Sequence, residues 1–382
     1  IVIGKNDSYK RFEFRSNVSA KLSERIQVKS NILLNHQNKM VVSSRGDSPG
    51  IIRHALLRPP VLSVLKSLDD PTYSVNNPYT DLPFYESPSN FQSNLYEWSQ
   101  NPVALASLSN NNQKQFKLFG NAGVDVDILA DRSLKFRSNV GMELNFNHNK
   151  SFMRNAGDDD GNGNTIDAGL GRINRPNGLN EDRGEDYTLT WNNILSYDKT
   201  LGDHQINTLA GTEFITNHSS SINASRRRYE YESEQFQYMD LGGSSQDLWN
   251  GGFAQEWALF SLFGSATYAY KSRYSLTGNL RADASSRFGA DNKWGYFPAL
   301  SLGWVVSNED FFTPNNIVNY LKIRASSGRL GNQNISNYAY LTLFSREGNI
   351  TRYGNPKLKW ETTLQNNLGI DLRMFSNKVE LN

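Results

Sequence analysis

Every second position from Leu134 to Phe146 reads Leu134, Phe136, Ser138, Val140, Met142, Leu144 and Phe146, while the positions between read Lys135, Arg137, Asn139, Gly141, Glu143 and Asn145. A β-strand sends successive side chains to opposite faces, so this stretch predicts a strand with one apolar and one aqueous side. Tyr274, Leu276, Gly278, Leu280, Ala282 and Ala284 alternate with Arg273, Ser275, Thr277, Asn279, Arg281 and Asp283 in the same way. Residues 116–128 and 364–374 repeat the pattern; 10–20, 22–34, 187–197 and 320–327 follow it with a few exceptions, and 204–216 and 258–270 more loosely. The reading is eleven strands and the start of a twelfth.

These runs are about 10 to 15 residues long, whereas strands of soluble domains usually run to about 5–6. Their connections alternate in size. Short turns are expected near Ala20, at 130–133, at 200–203, near 271–273 and at 376–377, and long excursions over 36–112, 151–184, 220–255, 285–295 and 329–356. Short turns on one rim and long loops on the other predict an all-β, transmembrane antiparallel β-barrel with the long loops extracellular. One short-side connection, 308–319, carries Asn308-Glu309-Asp310 ahead of Phe311, Phe312 and Pro314 and is expected to form a small helix at the rim. Tyr187, Tyr197, Tyr268, Tyr270, Tyr274, Trp294 and Tyr296 gather near strand ends, where amphipathic rings suit the headgroup layer.

Composition fits strands with one greasy and one wet face: 29 Gly, 18 Tyr, 20 Phe and 7 Trp accompany a polar mean hydropathy. No apolar run approaches the roughly 18 residues of a membrane helix; Ile32 to Leu34 is typical. A formal net charge of +2 gives no basic field for nucleic acid. The absence of cysteine removes disulfides, thiolate metal sites and cysteine nucleophiles together. The chain opens at Ile1 without a basic-then-apolar leader, so the expectation is a piece that starts and ends inside a longer protein.

From Trp257 onward the sequence resembles the SusC/RagA family of TonB-linked outer-membrane proteins. The resemblance rests on RADASSRFGADNKWGYFPALSLGWVVSNEDFF (281–312), LKIRASSGRLGNQNISNYAY (321–340) and YGNPKLKWETTLQNNLGIDLRMFSNKVELN (353–382), with weaker matches at 190–214, 56–64 and 9–22. Ala282 and Ala284 beside Asp283 depart from the small or Gly residues usual there, and 36–112 matches poorly. The resemblance implies a barrel of 22 strands around an N-terminal plug, of which this chain would supply about the first half of the wall. It further implies TonB-driven uptake of an oligosaccharide or peptide beneath a SusD-like surface lipoprotein, commonly with two importer–lid pairs joined as a dimer. A half barrel cannot stand alone in lipid, because its edge N–H and C=O groups would go unsatisfied.

Cargo recognition calls for aromatic platforms flanked by polar groups. On the long loops the candidates are Tyr85, Phe91, Tyr96 and Trp98, and then Trp249, Phe253 and Trp257; loop packing or docking of the lid protein explains the same residues. Arg281, Asp283 and Arg287 face the aqueous side, where they could touch cargo or pair with one another or with the plug. Asp158, Asp160, Asn162 and Asn164 imitate the opening of an EF-hand calcium loop with a turn-making Gly163, but Gly169 stands where its Glu belongs, and a polar extracellular loop accounts for the run equally well. Beyond that calcium candidate no cofactor is expected. His36, His54, His148, His204 and His218 are scattered, with no H-E-x-x-H or G-x-S-x-G, so no enzyme is expected. The alternative to uptake is an outer-membrane barrel used as a structural or adhesive surface component.

Overall fold

The computed structural model describes residues 7–42, 51–58, 60–61, 63–70, 73, 75, 78–80, 101–154, 177–313 and 317–381. Ten long strands follow one another: β1 (Ser8–Lys21), β2 (Ile26–Met40), β3 (Ser109–Asp127), β4 (Leu134–Met153), β5 (Gly178–Leu201), β6 (His204–Arg227), β7 (Leu248–Tyr270), β8 (Tyr274–Ser285), β9 (Trp294–Val305) and β10 (Val318–Asn332). A small hairpin, β11 (Leu343–Phe344) and β12 (Ile350–Arg352), precedes β13 (Glu361–Met374) and β14 (Val379–Leu381). All but the hairpin join one 12-stranded sheet in the order β1-β2-β3-β4-β5-β6-β7-β8-β9-β10-β13-β14, antiparallel throughout. This is the all-β, barrel-type wall that the alternation predicts. β1 and β14 end the sheet without meeting.

Register carries the alternation across the whole sheet. Leu34 of β2 stands opposite Leu118 of β3, which stands opposite Leu144 of β4 and then Tyr187 of β5. Farther along, Leu276 of β8 meets Leu302 of β9, which meets Ala325 of β10, and Ala325 meets Leu368 of β13. Because the side-chain period is two, a continuous ladder keeps these residues on one face and sends Arg137, Glu143, Arg281 and Arg324 to the other.

Across its middle band the apolar face is open, with no buried cluster on it among the described residues. Trp191 is 49% exposed and Leu302 53%, and Val140, Met142, Leu195, Leu280, Leu300 and Leu368 are exposed as well. Burying such a side chain is worth roughly 1.5–3 kcal/mol, so a face of this kind is untenable in water and at home in hydrocarbon. On β5 the band runs from Tyr187 to Tyr197, about the 9–11 residues a tilted strand needs to cross a bilayer. No described helix is long and apolar enough to do so.

The ladders run well beyond that band. β4 and β5 pair up to Met153 and Gly178, and β6 and β7 up to Arg226 and Leu248, inside the segments 151–184 and 220–255 expected as loops. β2 and β3 likewise pair as far as Met40 and Asn112. At about 3.4 Å per residue the 24-residue β5 is about 80 Å long, so its upper half stands clear of any lipid. The long connections are correspondingly shorter, 228–247 and 286–293 among them. At the opposite rim turns are tight: Gly202 takes φ +59°, and Lys271 and Ser272 take +50° and +52°. Among the described residues of 308–319, where a helix is expected, the helical structure is the end of a single 3₁₀ turn, Val306–Asn308.

Among the described residues, two buried apolar clusters lie on the long-loop side. Val42, Ile51 and Ala104 gather where the short helices α1 (Ile51–Leu57) and α2 (Pro102–Leu108) meet. Phe152 and Leu179 are capped by Tyr229 of the 228–247 loop, with the Phe152 and Tyr229 rings edge to face at 5.3 Å.

Candidate functional site on the polar face

Three neighbouring strands assemble the centre of the polar face. Glu213 on β6 is opposite Ser261 on β7, which is opposite Asp283 on β8. Arg281, one pleat below Asp283, donates through Nη2 to Glu213 Oε1 at 2.8 Å and to Ser261 Oγ at 2.8 Å. Its Nε donates to Asp283 Oδ2 at 3.0 Å, and its guanidinium lies 5.6 Å from the centre of the Phe263 ring. Ser261 and Asp283 are buried. Phe263 covers Gly211, where a Cβ would come within 2.5 Å of the ring and 2.7 Å of the Asn193 carbonyl. A hydrogen is therefore the only side chain that lets Phe263 lie flat beneath the guanidinium.

Pairing is the rule on this face. Asp125 of β3 bridges Lys29 at 2.6 Å and Arg137 at 2.7 Å; Lys117 pairs with Glu143, and Arg324 with Asp371 at 3.0 Å. Asn31 donates to Asn121 at 2.8 Å and Gln115 to Asn145 at 2.9 Å. Fixed charges and amides of both signs hold the wall's aqueous lining in one arrangement while leaving it wettable.

Above this centre the lining becomes aromatic. Arg287, in the turn after β8, stacks its guanidinium 4.8 Å over the Trp257 ring and donates to the Gln333 carbonyl at 3.3 Å. Its Nε is buried without a partner, and burial pushes its pKa below the usual guanidinium value. Phe288 is fully buried and stacks on Trp360 at 5.0 Å; Phe297 meets Trp360 edge to face at 5.3 Å. Trp249 and Phe253 share Trp257's face of β7, four residues apart along the strand, and both are exposed.

The structure thus brings Arg281 and Asp283 together, places Arg287 with Trp257 in a second cluster, and leaves Trp249 and Phe253 higher on the same face. Tyr85, Phe91, Tyr96 and Trp98, and the calcium candidates Asp158, Asp160, Asn162 and Asn164, lie outside the described residues. Sequence reading missed Glu213, Ser261, Phe288, Phe297 and Trp360. Glu213 occupies a polar position of a loosely alternating strand, which was a visible signal. What the sequence conceals is the register that sets Glu213 beside Ser261 and Asp283.

Three comparisons bear on this wall. A family model described as "TonB dependent receptor-like, beta-barrel" matches residues 64–382. TonB-dependent receptor P3 of Formosa agariphila is 28% identical, over 98% of this chain and 36% of that protein. TonB-dependent receptor P39 of the same organism is 30% identical over 74% of this chain and 26% of that protein, and TonB-dependent receptor SusC of Bacteroides thetaiotaomicron 28% over 73% and 27%. The solved structure of the RagAB peptide transporter superposes with a TM-score of 0.76 at 19% identity, covering 97% of this chain and 39% of that one. At that identity the likeness concerns the fold. The chain spans about two fifths or less of each of these proteins.

Proposed function

We propose that this chain, which belongs to the TonB-dependent receptor-like β-barrel family, is roughly the first half of the wall of an outer-membrane importer for an oligosaccharide or peptide. The observation that carries the reading is the two-sidedness of the sheet: an apolar band left exposed among the described residues, backed by a face of paired charges. Such a wall separates lipid from a hydrated bore. The open edges at β1 and β14 call for further strands from the rest of the protein, since unpaired backbone groups are untenable in hydrocarbon.

The relatives' names supply what the wall cannot. TonB dependence supports a plug and TonB box elsewhere in the protein, coupling uptake to the inner membrane. SusC and the RagAB transporter support a SusD-like lipoprotein over the mouth and a peptide or glycan cargo. Trp249, Phe253, Trp257 and Arg287 stand on the route from the mouth, where aromatic platforms and a guanidinium suit sugars and peptide carbonyls alike. Arg281 and Asp283, already paired, act as fixed lining. The same reading includes calcium held by Asp158, Asp160, Asn162 and Asn164. The chemistry is transport, with no bond made or broken by the wall.

The test is deletion of the full-length gene, with growth measured on panels of oligosaccharides and oligopeptides, beside affinity capture of the tagged receptor from its own outer membrane. The expected result is loss of growth on one cargo class and co-capture of a surface lipoprotein. Unchanged growth and uptake across both panels would favour a structural or adhesive barrel instead.

A further inference from the structure

The strands of the wall do not end at one height. β8 stops at Ser285, opposite Leu259 of β7, while β6 stays paired with β7 as far as Leu248. The row through Tyr187, at the top of the lipid-facing band, continues through His218 of β6 to Glu256 of β7, so 248–255 stand clear of hydrocarbon with a neighbouring strand on one side only. In an extended strand alternate residues turn their N–H and C=O to alternate sides. The Ala258 carbonyl accepts from Ser286 N, and Glu256 N donates to the Tyr338 hydroxyl at 3.0 Å, which fixes the side that Ala254, Gly252 and Asn250 present. Above Glu256 that side is open. Asn250, Gly252 and Ala254 are exposed, and their backbone groups on it have no partner among the described residues.

An open strand edge is normally guarded by charge or proline, or covered by another segment. Residues 248–255 read Leu-Trp-Asn-Gly-Gly-Phe-Ala-Gln, with neither charge nor proline. The other margin of the tall sheet is closed: β2 runs beside β3 up to Met40 opposite Asn112, and α1 and α2 gather with Val42 just above. On the bore-facing side of the open stretch Trp249 and Phe253 are exposed. A Cβ on Gly251 between them would meet the Trp249 ring at 3.3 Å and Asn223 Oδ1 at 2.9 Å, and that oxygen is buried without a partner. Free backbone donors and acceptors at every second residue, about 7 Å apart, are matched by another extended polypeptide. An oligosaccharide carries no such repeat of one N–H beside one C=O.

We propose that the cargo is a peptide and that β7 captures it by strand addition: an extended peptide pairs with Asn250, Gly252 and Ala254 along about 14 Å of edge, with every second side chain against Trp249 and Phe253. Capture through the main chain makes the mouth tolerant of peptide sequence and strict about an extended, unmodified backbone. The inference rests on the import reading, because it is the continuity of this edge with the aromatic route into the bore that selects cargo over a segment of a surface partner.

The experiment is native mass spectrometry of the full-length receptor in detergent, offered a random heptapeptide library or a panel of oligosaccharides of similar mass, with residue-resolved hydrogen exchange on the same samples. Heptapeptides should be retained over oligosaccharides, and the Gly252 and Ala254 amides should gain protection while those of Phe253 and Gln255, turned toward β6, stay as they were. A retained peptide remade with every backbone nitrogen methylated should no longer bind. Ala254→Pro should weaken retention about 10-fold, the worth of about one hydrogen bond, and Ala254→Ser should not. The proline takes no bond from the β6–β7 ladder, and the exchange pattern of the unaltered receptor stands as a test by itself. Equal binding of the methylated peptide, unchanged retention by Ala254→Pro, or preference for oligosaccharides would each overturn the proposal. Protection of Gly252 and Ala254 by a co-captured lipoprotein with no peptide present would assign the edge to that partner and overturn it too. In the growth panels, loss on oligosaccharides alone leaves import standing and removes strand addition of cargo, whereas unchanged growth on both removes import itself.

Discussion

Arg281 is the residue on which the polar face turns, because one guanidinium satisfies Glu213, Ser261 and Asp283 together. Arg281→Leu leaves two carboxylates without their cation in a half-buried setting and should cost about 1–3 kcal/mol in urea unfolding of the reconstituted receptor. Adding Glu213→Gln and Asp283→Asn should recover part of that loss, since a removed charge no longer needs a partner. Gly211→Ala should cost a similar amount, about 1–3 kcal/mol, because the Asn193 carbonyl on one side of the new Cβ is backbone and cannot yield. Tyr229 offers the opposite sign. Its hydroxyl is buried without a partner, and burial pushes its pKa up to about 12. Tyr229→Phe should therefore leave the 228–247 loop equally or better protected from hydrogen exchange, while Tyr229→Ala, which empties the cap over Phe152 and Leu179, should expose it.

At the level of elements, what the sequence makes readable depends on where each strand sits. β4 is legible from Leu134 to Phe146 because lipid lies on one side and water on the other. Above Phe146 both sides are wet, so His148, Asn149, Lys150 and Ser151 lose the alternation although the backbone ladder continues to Met153. That is why 151–184 and 220–255 read as loops. β6 is faint for another reason: Thr208, Thr212 and Thr216 take the apolar face while Leu209 and Ile215 take the polar one. The clusters around Arg281 and Trp360 are illegible because they depend on register between strands and not on any one strand's pattern. The short-turn rim yields a pH expectation. Hydrogen bonds from Tyr274 and Trp304 hold the Glu309 carboxyl below its ordinary value, and the bond from Arg273 does so for Asp310. A depressed carboxylate pKa stabilises fully above the ordinary value of about 4 and loses that contribution as pH falls through the folded value. Amide protection at 306–312 should accordingly stay constant from about pH 5 to 8 and decline only below about pH 4; a decline already at pH 6 would assign it to another group.

For the whole molecule, the unpacked apolar face and the ion-paired polar face make one statement about solvent: hydrocarbon on one side of the sheet, water on the other. A cation placed at the middle of the lipid-facing band, as in Trp191→Arg, should destabilise the reconstituted barrel by about 2–4 kcal/mol, whereas Thr190→Arg on the facing side should cost far less. The most direct measurement uses the absence of cysteine from this stretch to place single spin labels at Val140, Leu195 and Leu302 and at their neighbours Asn139, Ile194 and Ser301 in the full-length receptor in lipid bilayers. Collision with oxygen dissolved in lipid should dominate at the first three, and collision with a water-soluble nickel chelate at the second three. The reverse pattern, or six labels equally reached by the nickel chelate, would contradict a wall with lipid on one side and a hydrated bore on the other.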